Sequence, residues 1–187
     1  MKIGVYGSAD RAMNKTIKEK AQKIGYAIAK SGAILVTGGC PGYPEEAVLG
    51  AKQAHGQCIA FSPALDLASH KKLNYPTDGF AKFIFIPKKY QYAKHALLVK
   101  PYRNVSSVAY VDAAIFISGS IGSMNEFTIA YFLGKTIGVL EKTGGITKRA
   151  IKVLLEDLDK KTGAKVIFES DPTKLVEVIL RILTPSP

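Results

Sequence analysis

Short apolar runs alternate with longer amphipathic stretches along most of the chain. "KIGVYG" (residues 2–7) predicts a buried strand. Residues 14–32 predict a helix with Ile17, Ala21, Ile24 and Ile28 on one face and Gly32 as its stop signal. The same alternation continues with strands at "AILVTGG", "QCIAFSP", "AKFIFIP", "AAIFIS", "KTIGVLE" and "KVIFES". Helices are expected over 44–56, with Pro44 and two acids in the first turn, and over 171–183, with Asp171 as N-cap and Pro172 first. Residues 146–163 predict a further helix ended by Gly163, and residues 64–80 are mixed and loop-like. From Lys88 to Val111 the pattern is helical but interrupted by Pro101, which fits the first turn of a new helix reaching Val111.

Strands apolar on both faces and separated by helices indicate a parallel sheet covered on both sides. The expectation is an α/β fold: a doubly wound, Rossmann-like parallel sheet in a single domain spanning 1–187. Such sheets bind ligands at the carboxyl ends of their strands. Three of those ends carry small residues: Gly7 and Ser8 after the first strand, Gly38 and Gly39 after the second, and "SGSIGS" after the fifth. None matches the G-x-G-x-x-G or Walker spacing.

The stretch "SGSIGSMNE" (118–126) joins the fifth strand to a helix. A helix N-terminus offers unpaired amides and a positive dipole end, hence an anion site. Gly119 and Gly122 would let backbone approach a phosphate, Ser120 and Ser123 would add hydroxyls, and Ile121 lies within the same turn. A bland reading competes: Ser123-x-x-Glu126 also matches a capping box, and on local sequence alone that is the simpler role for Glu126. Arg103 is expected at the same sheet edge, where its rigid fork would hold phosphate or carboxylate. An arginine and a glutamate converging beside a phosphate cradle would suit cleavage of an N-glycosidic bond, the carboxylate steadying positive charge or activating water.

Composition bounds these readings. At 187 residues and 47% hydrophobic, the chain can build one full core, and no apolar run reaches the length of a membrane span. The first residues lack a signal-peptide pattern, which makes the cytoplasm the expected location. Cys40 and Cys58 read as buried free thiols. His55, His70 and His95 have no ligand spacing and read as surface residues, so no metal or other cofactor is required. The net charge of +11 is either a solvated lysine-rich surface or a field drawing anionic ligands, nucleotides before nucleic acid.

"RNVSSVAYVDAAIFISGSIGSMNEFTIAYFLGKTIGVL" resembles the core of the LONELY GUY (LOG) family, often labelled lysine decarboxylases. That family carries an arginine, then an aspartate opening a strand, then P-G-G-x-G-T-x-x-E. Here Arg103 and Asp112 stand at the first two. Ser118, Gly119 and Ser120 fall at P-G-G, Gly122 and Ser123 at G-T, and Glu126 at the glutamate. The upstream segments "KIGVYGSAD" and "LVTGGCPGYPEEAVLGAKQAHGQCIAFSP" are similar to the family's first two ligand-binding loops. The resemblance implies a nucleotide-binding fold, dimeric or tetrameric. It also implies metal-free hydrolysis of nucleoside 5′-monophosphates to base and ribose 5-phosphate, with Arg103 and Glu126 as the catalytic pair. The serines at 118 and 120 bring the chain closer to the uncharacterised and molybdenum-cofactor-carrier branches, some of which bind without hydrolysing. A positive φ at the family's second glycine would leave Ser120 strained. A more distant cousin, DNA-processing protein A, binds single-stranded DNA.

Overall fold

Strand β1 (Lys2–Gly7) alternates its side chains between two cores. Ile3 and Val5 face one, and Tyr6 the other. Its neighbour β5 (Ala113–Ile117) does the same, with Ala113, Ile115 and Ile117 on the first face and Ala114 and Phe116 on the second. This period of two on both faces is what a fully covered parallel strand requires. The computed structural model describes residues 1–10, 12, 14–157 and 161–184.

Strands β2 (Ile34–Thr37), β3 (Cys58–Phe61) and β4 (Lys82–Ile84) extend the sheet on one side of β1, and β6 (Thr136–Leu140) and β7 (Lys165–Glu169) beyond β5 on the other. The order is β4-β3-β2-β1-β5-β6-β7, every pairing parallel, in register Ile3 with Leu35 and Ala113. The chain builds outward from β1 and then returns across it to start β5. The β1–β5 boundary is therefore the topological switch point, where the loops part to leave a crevice. The doubly wound α/β expectation is met.

Helices α1 (Lys15–Lys30), α2 (Tyr43–Gln53) and α7 (Pro172–Leu183) share one core, through Ile24, Ile28, Ala47, Leu175 and Ile179. Helices α4 (Ala96–Tyr110), α5 (Ile121–Phe132) and α6 (Ala150–Asp157) share the other, through Val108, Phe127 and Ile151. The expected cap forms, Asp171 Oδ1 accepting the Lys174 amide at 2.8 Å, and Asn14 also caps α1. None of the described helices is long and apolar enough to cross a membrane.

Four local expectations need correction. Pro101 does not start a helix but lies inside α4, which begins at Ala96. Its missing N–H removes one bond of the ladder, a loss that the packing of Val99, Ser107 and Val108 outweighs. The loop-like stretch contains a short helix α3 (Leu67–Lys72), capped by Asp66, whose side chain accepts the Ser69 amide at 2.7 Å. The helix expected over 146–163 is instead a 3₁₀ turn, Gly145–Thr147, followed by α6, while residues 158–160 of it lie outside the described residues. His70 is fully buried rather than on the surface, held by Ser62 Oγ at 2.8 Å and the Pro76 carbonyl at 3.0 Å. His55 and His95 are exposed, and both cysteines are free and buried.

Helices α1 and α2 meet backbone to backbone. A Cβ on Gly25 would collide with the Ala47 carbonyl, and one on Gly50 with that of Gln22. The contact is tied at its rim by Glu46, which pairs with Lys18 at 3.0 Å and accepts from Gln22 at 2.7 Å. In an exposed helix, Gly→Ala stabilises by about 1 kcal/mol. Here Gly25→Ala and Gly50→Ala should each destabilise, by about 1–3 kcal/mol in urea unfolding, because the helices must separate. A stabilising effect would show that the close crossing is wrong.

Candidate functional site

The three strand ends at the switch point are coupled by their backbones. Gly7 leaves no room for a side chain, since a Cβ would strike the Ile117 carbonyl of β5. Beyond it, the Ser8 carbonyl accepts the Tyr43 amide at 3.0 Å, which seats the first loop on the start of α2. Ser8 Oγ accepts the Asp10 amide at 3.2 Å. At the end of β2, a Cβ on Gly38 would stand 2.9 Å from Arg103 Cζ, so the bare backbone makes room for a guanidinium. Gly39, at φ +62°, turns the chain against Ala60 and His70.

The loop after β5 differs from what a P-G-G template dictates. Ser120 has φ −133° and carries no strain. The left-handed residue is Ser118, at φ +56°, a conformation closed to a proline fixed near −65°. The Ser118 amide donates to Thr143 Oγ1 at 2.9 Å, and the Gly119 carbonyl accepts the Ile146 amide at 3.1 Å, anchoring the turn to the segment after β6. Gly119 itself has φ +96°. Ser120 is the N-cap of α5 and makes no side-chain bond to its first turn. The first amides of α5 are therefore left for an anion.

The capping box does not form. Ser123 lies inside the first turns of α5, and Glu126 points across to α4. Arg103 Nη1 donates to Glu126 Oε1 at 3.0 Å, with side chains only 13% and 6% exposed. Burial pushes the Glu126 carboxyl up to about 7 against the opposing pull of Arg103. A carboxyl held above the ordinary carboxylate range in a cavity is the kind of group that can exchange a proton near neutral pH. Arg103 Nε is buried without a hydrogen-bond partner among the described residues. Asn104 Nδ2 donates to Asn125 Oδ1 at 2.8 Å, a second tie between α4 and α5. Below the pair, the Tyr6 hydroxyl shares a hydrogen bond of 2.8 Å with Ser107, and burial raises its pKa.

A cavity of about 230 Å³ opens over this pair. It gathers Gly7, Ser8, Gly38, Arg103, Ser120, Gly122, Ser123 and Glu126, all singled out from sequence. Three others lie outside it: Gly39 and Gly119 build the turns behind, and Ile121 projects outward, 87% exposed. A Cβ on Gly122 would meet nothing within 4 Å, so this glycine keeps the approach open. The cavity wall also includes Tyr6, Cys40, Pro44, Tyr75 and Lys100, which sequence reasoning missed as site residues. Lys100 had a usable signal, its position three residues before Arg103 on one helix face. Burial keeps the Cys40 thiol protonated, with its pKa pushed up to about 11. A larger groove of about 770 Å³, lined by Lys23, Tyr26 and Glu177 among others, lies between α1 and α7 and gathers none of the predicted residues. Among the described residues, no three His, Cys, Asp or Glu side chains cluster as metal ligands do.

The chain belongs to the SLOG cluster4 family, whose model matches residues 1–176. An uncharacterized protein of Archaeoglobus fulgidus is 30% identical over 143 residues, 75% of this chain and 80% of that one. The molybdenum cofactor binding protein of Rippkaea orientalis has a similar structure, with a TM-score of 0.74 at 23% identity, over 98% of this chain and 97% of that one. DNA processing protein A of Helicobacter pylori, described with a single-stranded DNA binding mode, gives a TM-score of 0.63 at 22% identity, over 97% and 81%. At these identities the structural likenesses establish the shared fold, as the LOG-like resemblance implied.

The raised carboxyl pKa carries a stability consequence. Glu126 binds its proton more tightly folded than unfolded, so its favourable contribution is complete below about pH 4.5. It is lost as pH rises through about 7, a decline on the order of 3 kcal/mol. Urea unfolding across this window should show that decline, and Glu126→Gln should remove it. A pH-independent difference between the two proteins would show that the carboxyl titrates normally.

Proposed function

We propose that the switch-point cavity binds a phosphorylated, nucleotide-like small molecule and that the bound ligand is open to N-glycosidic hydrolysis. The observation that carries the reading is convergence. One buried Arg103–Glu126 pair lies in the same 230 Å³ cavity as Ser120, Gly122 and Ser123 at the start of α5. Phosphate would sit over the amides and hydroxyls of residues 120–123, and Lys100 adds a positive charge to the wall. The base would lie towards the first two loops.

Glu126 is the group suited to the chemical step. A carboxylate beside the glycosidic bond stabilises the positive charge that develops on the sugar and accepts a proton from the attacking water. Water adds to the anomeric carbon and gives a proton to Glu126, the bond to the base nitrogen breaks with its electron pair going to the base, and that proton passes to the departing nitrogen, so that ribose 5-phosphate and free base leave. Arg103 holds the carboxylate in place, 3.0 Å away, and the low-dielectric surroundings strengthen the attraction between them. No resident cofactor enters this scheme.

A specific feature favours a second reading, carriage of a phosphorylated ligand without turnover. Ser118 turns left-handed where the hydrolase pattern places a proline, so the loop entering the cradle follows its own path. Carriage of a phosphorylated pterin would use the same cradle; the similar R. orientalis protein is named for binding the molybdenum cofactor. Single-stranded DNA is a third occupant that the basic charge of +11 would attract. Assembly into two or four copies belongs to the same proposal, since Ile121 at the start of α5 and Leu133 just past its end expose apolar surface.

Incubation with AMP and related monophosphates should release free base and ribose 5-phosphate. Glu126→Ala should lower that release at least about 100-fold while ribose 5-phosphate still binds. Unchanged turnover in the variant would sink the catalytic role. Binding without any turnover in the unaltered protein would select carriage. Tight binding of single-stranded DNA that weakens steeply with salt would select the third occupant. Light scattering should give the mass of a dimer or tetramer, and a monomer at micromolar concentration would remove the assembly from the proposal.

A further inference from the structure

The cavity has two unlike sides. Towards β5 it presents Ser120, Gly122 and Ser123 at a helix N-terminus, which suit negative charge. Towards β2 it presents Gly38, Cys40, Pro44 and Tyr75, themselves uncharged, and the Arg103 guanidinium that packs against Gly38 there is paired with Glu126. Tyr75 comes from neither of the glycine-rich loops on that side but from the segment between α3 and β4.

Its ring is braced from behind. Tyr75 meets His70 edge-on, with centroids 5.5 Å apart and planes at 88°. His70 meets Phe83 in the same manner at 5.1 Å. The imidazole is itself fixed: a carbonyl can only accept, so His70 Nε2 carries the proton towards Pro76, and Nδ1 accepts from the Ser62 hydroxyl. Pro76 is the next residue after Tyr75, so the same bond that orients the imidazole also anchors the backbone carrying the tyrosine. Gly39 completes the bracing, since a Cβ there would stand 3.2 Å from His70 Cε1. Tyr75 remains only partly buried, and burial raises its phenol pKa, so it stays neutral. A held, neutral aromatic ring on the β2 side of a cavity whose other side suits phosphate is the arrangement a flat heterocycle requires.

We propose that Tyr75 is the specificity-determining platform on which the planar heterocyclic ring of the phosphorylated ligand stacks. The inference rests on the reading that this cavity takes such a ligand. It adds that the ring, and not only the phosphate, is recognised. A purine and a pterin share the flat, nitrogen-rich face that stacks on an aromatic side chain, and the experiment separates them.

Calorimetry would compare AMP, a pterin monophosphate and ribose 5-phosphate. Measurements would be made in a Glu126→Gln background, so that turnover does not intervene. Adding Tyr75→Phe should keep the preference for a ring-bearing ligand over ribose 5-phosphate. Adding Tyr75→Ala should weaken the preferred ring-bearing ligand about 10-fold and leave ribose 5-phosphate within about twofold. Whichever of AMP and the pterin shows the larger loss identifies the ring. An unchanged preference in Tyr75→Ala, equal weakening of all three ligands, or no ring preference before Tyr75 is altered would overturn the proposal. Failure of ribose 5-phosphate to bind at all would instead overturn the underlying phosphate reading.

Discussion

The buried ion pair between Arg103 and Glu126 sets the terms for everything around it. Removing two charges from water costs several kcal/mol per ion, and a pair recovers that cost only with good geometry and further hydrogen bonds. Here the geometry is a single 3.0 Å contact, and Arg103 Nε has no protein partner among the described residues. Hydrophobic side chains of similar size would stabilise α4 against α5 at least as well. The neighbouring structure nevertheless accommodates the pair: Gly38 leaves space for the guanidinium, and Asn104 bonds to Asn125 beside it. A costly contact with incomplete internal satisfaction, opening on a cavity, is better explained by a ligand than by folding.

Much of the architecture was legible because it is periodic. Runs apolar on both faces, spaced by amphipathic stretches with Asp171 as a cap, specify a parallel sheet with little ambiguity. What escaped was set by partners distant in sequence. Pro101 reads locally as a helix start, yet α4 runs through it because Val108 and Ser107 are buried against the sheet side of the fold. His70 reads as one more polar residue in a loop, and only Ser62, Pro76 and Phe83 make it a buried brace.

The candidate site divides the same way. Arg103 and Glu126 were legible as a pair through their spacing, although local chemistry pointed Glu126 towards Ser123. The competition was settled by position, because a carboxylate that meets a guanidinium gains more than one reaching an amide that other acceptors can serve. Ser120 looked like the strained position of the cradle, but the left-handed turn falls one and two residues earlier, at Gly119 and Ser118. Cys40 follows Gly38 and Gly39 in the loop after β2, whereas Tyr75 carries no local signal at all. Tyr75 reaches the cavity only because the segment between α3 and β4 folds back towards the loop after β2.

A small, polar crevice at the β1–β5 switch point thus combines an open helix N-terminus, a buried arginine–carboxyl pair and a braced tyrosine. The larger groove between α1 and α7 has more room but none of this chemistry. The most direct test of the central claim is a crystal structure of the protein with ribose 5-phosphate bound. The account predicts the phosphate against the amides of residues 121–123 and the anomeric carbon turned towards Glu126. A phosphate seated elsewhere, in the α1–α7 groove or on surface lysines with the crevice empty, would contradict it.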